Sequence, residues 1–271
     1  MSDKILFIIF PGFGSTIKHF RLNDVNGKFN TNSNFLSELK KMGKIYFVNQ
    51  NYNNISYYDN NEKEEQYLFK KNINFTLKDL NMENICSKIY NDVKNFNGKY
   101  VLIGHSIGSF PLYYFSQKYS SKCIYNFLID GTNWGPFYIN KKIHNKLIKD
   151  CNKTTNENIQ KLINEVKQYN STAIYKLNNI IGGCLEKQMP VKAKKIKVTT
   201  YSFRNLQINE DPGGSKHSKK EIQEYINIEN YFYKNNPNKY NTLYFINKTH
   251  FPHWNKESRN IILDTIKCCV K

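Results

Sequence analysis

Val101-Leu102-Ile103-Gly104-His105-Ser106-Ile107-Gly108-Ser109 is the stretch whose reading decides the fold. Tyr100 to Ile103 is apolar throughout, which suits a strand buried on both faces. The residues from Ser109 to Tyr119 read as a helix, with Pro111 near the first turn where proline is tolerated. Between strand and helix stands a Gly-x-Ser-x-Gly turn. A turn this tight leaves no room for side chains two residues either side of the serine, and Gly104 and Gly108 remove them. Such a turn holds Ser106 in a strained backbone with its hydroxyl at the sheet edge. The following helix points its free N–H groups toward any negative charge developing there.

Outward from this turn the chain alternates strand and helix. Lys4 to Phe10 is a continuous apolar run stopped by Pro11-Gly12, a buried parallel strand by pattern. Asn34 to Met42 carries Phe35, Leu36, Leu39 and Met42 at helical spacing, with Gly43 as the stop. Lys44 to Val48 reads as a second strand, and residues 49 to 75 as a polar surface excursion. Thr76 to Phe96 is helical through Leu80, Ile85, Ile89 and Val93. Ile124 to Ile129 is the fourth strand, Ile196 to Phe203 the fifth and Thr242 to Ile246 the last. Helices are expected over Ile222 to Tyr233 and Ser258 to Val270. Residues 140–190 show two amphipathic stripes, Ile159/Leu162/Ile163/Val166 and Ile174/Leu177/Ile180/Ile181, and no strand. The pattern implies an α/β fold with a doubly wound, mostly parallel sheet. Residues 1–271 are expected to form one domain, with 140–190 inserted between late strands as a helical cap over the carboxyl edge of the sheet.

In this setting the segment Val101 to Ser109 resembles the nucleophile turn of the α/β-hydrolase superfamily, and the resemblance extends from residue 4 to the C-terminus. It implies a serine hydrolase acting through an acyl-serine intermediate, with Ser106 as nucleophile. A tetrahedral oxyanion needs two N–H donors. The resemblance places one on Ile107, the residue after the nucleophile. It places the other on Phe13, within Pro11-Gly12-Phe13-Gly14-Ser15, a loop similar to the superfamily's His-Gly-x-Gly loop in the Pro-Gly form familiar from its thioesterase branch. The general base follows the last strand. Thr249-His250-Phe251-Pro252-His253-Trp254 resembles the family's Gly-His-Phe-Pro-His segment, in which the first histidine is catalytic, so His250 is the expected base. His253 is expected to be a polar neighbour in the first turn of the closing helix. His105 should point away from the pocket, and His19, His144 and His217 are read as exposed.

The acid has two candidate places. After the penultimate strand, the position of an aspartate is taken by Asn205, with Glu210 and Asp211 further along a polar loop. One strand earlier, Leu128-Ile129-Asp130-Gly131-Thr132 puts a carboxylate at the end of a buried strand, similar to the Asp-Gly-Ser/Thr segment of acyl-carrier-type thioesterases. Asp130 is preferred because the later position offers no clean match; Asp211 and Glu210 remain the alternatives. The Pro-Gly loop, the Asp-Gly-Thr segment and the cap lean toward an ester or thioester with an apolar acyl chain. No metal or organic cofactor is required by this chemistry. The rival readings are a generic lipase or esterase using Asp211 or Glu210, and a non-catalytic binding protein on the same scaffold, kept open by Asn205.

Composition bounds the partners. The 271 residues include 40 asparagines and only two alanines, Ala173 and Ala193. This reads as drift in a compositionally biased genome. The net charge is +18, but the lysines are dispersed and form no long basic run. They read as a solvated surface that attracts anionic substrates rather than as a specific nucleic-acid site. Six cysteines (86, 123, 151, 184, 268 and 269) include no Cys-x-x-Cys pair, which suits a reduced, cytoplasmic setting. The apolar run at 5–10 is too short for a leader, and no segment approaches the roughly 20 apolar residues of a membrane span.

Overall fold

The computed structural model describes residues 4–15, 17, 19–23, 34–49, 75–131, 141–168, 171–189, 195–208, 216–248 and 250–271. Six strands form one sheet: β1 (Ile5–Phe10), β2 (Lys44–Phe47), β3 (Lys99–His105), β4 (Cys123–Ile129), β5 (Thr199–Leu206) and β6 (Tyr240–Ile246). Their order is β2-β1-β3-β4-β5-β6, and every neighbouring pair is parallel. The order reverses between β1 and β3, the topological switch point where open α/β sheets place ligands beyond their carboxyl ends.

The central strands are apolar on both faces because both faces are covered. Along β1, Leu6, Ile8 and Phe10 enter one core, while Ile5, Phe7 and Ile9 enter the other. Tyr100 and Leu102 of β3 divide from Val101 and Ile103 in the same way. This is the two-residue period of a strand resolved into two cores. One core includes α1 (Phe35–Met42) and α8 (Lys256–Val270), through Phe35, Leu39, Ile262 and Ile266. The other includes α2 (Met82–Val93), α3 (Ser109–Lys118) and α7 (Lys219–Asn235), through Ile89, Phe115 and Phe232.

Helix starts follow local chemistry. Asn34 and Ser37 form a capping box on α1, and Ser218 and Glu221 form one on α7, each satisfying backbone donors that a helix end leaves free. The helix expected over Thr76 to Phe96 is divided. A short 3₁₀ turn, Leu77–Leu80, has its own Thr76–Asp79 box, and Asn81, in extended backbone, then caps α2 through the Asn84 N–H. Both pieces keep their apolar residues on the same core, so periodicity alone reads through the break. Strand β5 also ends later than expected, at Leu206, so Arg204 and Asn205 lie within the sheet.

Among the described residues between β4 and β5 lie three helices, α4 (Lys141–Lys153), α5 (Asn156–Lys167) and α6 (Ser171–Glu186). Helix α6 packs against α4, α5 and α3. Its Ile174, Leu177 and Ile181 share one apolar cluster with Phe13 and Ile107. Cys151 of α4 and Cys184 of α6 form a disulfide, with Cα atoms 5.3 Å apart. The reading of the cysteines as suiting a reduced setting does not anticipate this pair: the two are 33 residues apart in sequence, and only the packing of α4 on α6 brings them together. Cys86, Cys123, Cys268 and Cys269 are free. Among the described residues, no helix is long and apolar enough to cross a membrane.

Candidate active site

Four chain segments meet at the carboxyl ends of β1, β3, β4 and β6. Ser106 follows β3 with φ 51°, a left-handed conformation costly for a residue with a Cβ and sustained only by its surroundings. The turn is wedged against β1. A Cβ on Gly108 would lie 2.3 Å from the Phe10 carbonyl oxygen and 2.5 Å from that of Pro11. Ser109 closes the turn, its hydroxyl donating to the Ser106 carbonyl at 2.7 Å.

The loop after β1 lies against this serine. Pro11 to Ser15 is a tight turn in which the Ser15 N–H donates to the Gly12 carbonyl at 3.1 Å. Gly12 is adjacent to the Ser106 turn: a Cβ there would lie 2.8 Å from the Ser106 Cβ. Phe13 and Ile107, the residues expected to supply the two amides, are both buried on the side of the three-helix segment.

Asp130 ends β4 and also adopts a left-handed backbone, φ 44°. Its N–H donates to the Phe203 carbonyl of β5 at 2.7 Å. Its Oδ2 lies 2.6 Å from His250 Nδ1. A carboxylate on Nδ1 fixes the tautomer that leaves Nε2 free to take a proton. Its Oδ1 accepts the Asn205 N–H at 3.1 Å and lies 3.7 Å from Arg204 Nη1. Burial works to raise the Asp130 carboxyl, but the His250 hydrogen bond and charge, the Arg204 charge and the Asn205 amide together hold it below its ordinary value. The His250 side chain is 46% exposed, which leaves it open to a ligand.

Asn205 occupies the place where a later acid would stand, and it has another part to play. Besides its N–H bond to Asp130, its side-chain oxygen accepts the Lys248 N–H at 3.0 Å. One residue thereby ties the turn after β4 to the loop that carries His250. The alternative acids, Glu210 and Asp211, lie outside the described residues.

Of the other histidines, His19, His217 and His253 depart from expectation. His105 is buried beneath the site, and its Nε2–H donates to the His250 carbonyl at 2.8 Å. Burial, with His250 and His253 nearby, pushes it well below its ordinary value, so it stays neutral. His253 sits in a short 3₁₀ turn, Pro252–Trp254, before α8 rather than in that helix's first turn. It is fully buried and stacks on Phe20 with ring centroids 4.7 Å apart. His19 is buried rather than exposed, its ring stacked with Phe251 and Trp254. His217 is half-buried, its Nδ1 accepting the Gln207 N–H at 3.1 Å. The side chain of His144 lies outside the described residues. His19, His105 and His253 pack against the rings of Phe20, Phe251 and Trp254, and sequence offers no period by which to see it.

Sequence reading also missed Arg204 and Glu229. Both are buried, and Glu229 Oε1 accepts from Arg204 Nε at 3.2 Å and Nη2 at 3.0 Å. The apolar run ends at Phe203, and only the sheet register carries β5 on past Arg204, which makes it a buried arginine that needs a partner. Among the described residues, no cluster of three or more His, Cys, Asp or Glu is arranged to hold a metal ion.

No protein-family model matches the chain, and no curated protein does. Solved structures match over nearly its whole length. A thermophilic esterase from Thermogutta terrifontis, with malate bound, is 12% identical, with a TM-score of 0.53 over 100% of this chain and 92% of that one. The Vlm2 thioesterase domain, bound to a dodecadepsipeptide, is 12% identical, with a TM-score of 0.52 over 97% and 94%. MenH from S. aureus is 12% identical, with a TM-score of 0.52 over 100% and 96%. At these identities the likeness is one of fold: the chain has the α/β-hydrolase fold.

Proposed function

We propose that this chain, built on the α/β-hydrolase fold, is a serine hydrolase that cleaves a small-molecule ester or thioester. The observation that carries the proposal is the 2.6 Å contact between His250 Nδ1 and Asp130 Oδ2, at the same sheet edge as the strained Ser106. In the proposed reaction His250 Nε2 takes the Ser106 proton as Oγ attacks the acyl carbonyl. The amides of Phe13 and Ile107 hold the oxyanion. The tetrahedral intermediate collapses, the bond to the leaving group breaks, and His250 returns the proton to that group. Water, deprotonated by His250, then attacks the acyl-serine and releases the acid and free enzyme. Asp130 orients the imidazole and stabilises its charged form.

A lean toward apolar acyl chains rests on the three helices of 140–190 acting as a cap. Ile174, Leu177 and Ile181 of α6 belong to the same apolar cluster as Phe13 and Ile107, so an acyl chain entering beside the oxyanion amides meets hydrocarbon. Several structural neighbours are described as esterases or thioesterases, which agrees with this class. The test is turnover of p-nitrophenyl esters and acyl thioesters of graded chain length. Ser106→Ala should abolish turnover while leaving the melting midpoint in place; turnover surviving in Ser106→Ala would refute the proposal.

A further inference from the structure

Glu229 is buried and accepts hydrogen bonds on both of its carboxylate oxygens. Its Oε1 accepts from Ser202 Oγ at 3.0 Å as well as from Arg204, and its Oε2 accepts from Tyr240 OH at 2.7 Å and Thr242 Oγ1 at 2.9 Å. Buried carboxylates are held this way only when every lone pair is answered. Arg204 bridges outward from it. Its Nη1 donates to the Gly131 carbonyl, its guanidinium lies 5.1 Å over the Tyr225 ring, and the same Nη1 is 3.7 Å from Asp130. The guanidinium fork therefore joins α7 and β5 to the left-handed turn after β4. Arginine suits this because its planar fork can reach two acceptors at once with little freedom to lose.

We propose that Arg204, braced by Glu229, is a positioning residue that holds the Asp130–Gly131 turn and offsets the Asp130 charge felt by His250. This rests on Ser106, His250 and Asp130 being the reacting set. Two consequences follow, one of geometry and one of charge. The Gly131 carbonyl anchor keeps the Asp130 carboxylate aimed at Nδ1 against the strain of its backbone. In charge, Asp130, Glu229 and Arg204 together carry one net negative charge at rest, and protonation of His250 brings the cluster to neutrality. Without Arg204 the imidazole would face two uncompensated carboxylates and would hold its proton to higher pH.

The other groups facing this cluster keep one charge state near neutral pH and above. His105 and His253 are buried and pushed far down, burial being the main cause, and His217 is lowered by burial as well. Tyr225 and Tyr240 are raised by burial and stay protonated. Arg259 of α8, which faces His253, is lowered by burial and is common to every variant.

The test is the pH dependence of labelling by a fluorophosphonate. Ser106 Oγ forms a bond to phosphorus, fluoride leaves with the bonding pair, and the serine proton passes to His250. The acid limb of the labelling rate then reports the ionisation of the base without any need to know the substrate. Arg204→Met should slow labelling and move that limb to higher pH by about half a unit or more. Glu229→Gln should move it to lower pH, and the double variant should return it toward the wild-type position. Arg204→Lys keeps the charge and loses the fork, so it should slow labelling with the limb in place. Circular dichroism at each pH establishes that a variant is folded; if Arg204→Met does not fold, Glu229→Gln and Arg204→Lys still decide the matter. Folded variants that label at the wild-type rate with unmoved limbs, or limbs that move in one direction for both charge changes, would overturn the proposal. Wild-type protein that does not label, or Ser106→Ala that labels equally, would instead overturn the assignment of the reacting set.

Discussion

Gly108→Ala should destabilise the protein while Gly182→Ala should not, although the two changes are chemically identical. Either substitution restricts the unfolded chain to a similar extent, which alone favours folding by about 0.4–1 kcal/mol. At Gly182, inside α6, an added Cβ meets nothing within 4 Å, so alanine should gain about 0.5–1 kcal/mol from its helix preference. At Gly108 the added Cβ would lie 2.3 Å from one backbone oxygen and 2.5 Å from another. One is on the last residue of β1 and the other on the residue that follows it, where neither can swing aside as a flexible side chain would. Relief requires the Ser106 turn to move away from β1. Overpacking of this kind costs about 1–3 kcal/mol. For a chain of this length each kcal/mol is worth about 2–4 °C in Tm. Thermal melts followed by circular dichroism should therefore show Gly108→Ala lowered by roughly 2–12 °C and Gly182→Ala level or raised. Fluorophosphonate labelling should fall only in Gly108→Ala, because Ser106 moves with the turn. A Gly108→Ala protein with wild-type Tm and wild-type labelling would refute the reading of the turn as wedged against β1.

Asp130→Asn should lower kcat/KM by about 10³–10⁴-fold, since an amide holds the imidazole in the wrong tautomer, whereas Asp211→Asn and Glu210→Gln should stay within about twofold; the reverse pattern would move the acid to the later loop. Burial pushes His253 down to about 3, below its ordinary unfolded value of about 6.5. The unfolded chain therefore binds a proton that the folded one refuses, and stability present above pH 6.5 is lost as pH falls from there toward 3. Urea denaturation at stepped pH should show that loss. His253→Phe, which preserves the stack on Phe20, should reduce the slope by about one proton, and an unchanged slope would refute a neutral buried His253. Reducing the Cys151–Cys184 disulfide should release α4 from α6, worth up to about 3–4 kcal/mol from chain entropy alone. Limited proteolysis should then cut residues 141–186 faster with dithiothreitol than without, and equal rates would count against the crosslink.

What sequence made legible was local. The apolar runs of β1 and β3, the glycine-framed serine and the strand-ending Asp130 each declare themselves within ten residues, because strand period and turn sterics are short-range. The nearness of Asp130 to His250 was legible only through resemblance, since 120 residues separate them. Arg204, Glu229 and Asn205 were harder to see because their roles are set by neighbours across β4, β6 and α7. Asn205 looked like an empty acid position, yet its backbone donates to the acid one strand away. His19 and His253 looked polar, yet both are buried among aromatic rings, and burial holds the His253 imidazole below its ordinary value. Cys151 and Cys184 gave no spacing signal, since their pairing depends on how α4 meets α6.

The central claim is that Ser106 is the activated nucleophile, and one measurement bears on it most directly. Native protein is treated with a fluorophosphonate near neutral pH, digested, and the modified residue located by mass spectrometry. The account predicts stoichiometric modification at Ser106 and none in Ser106→Ala or after heat denaturation. Absence of modification in the native protein, or modification at another residue that persists in Ser106→Ala, would contradict it.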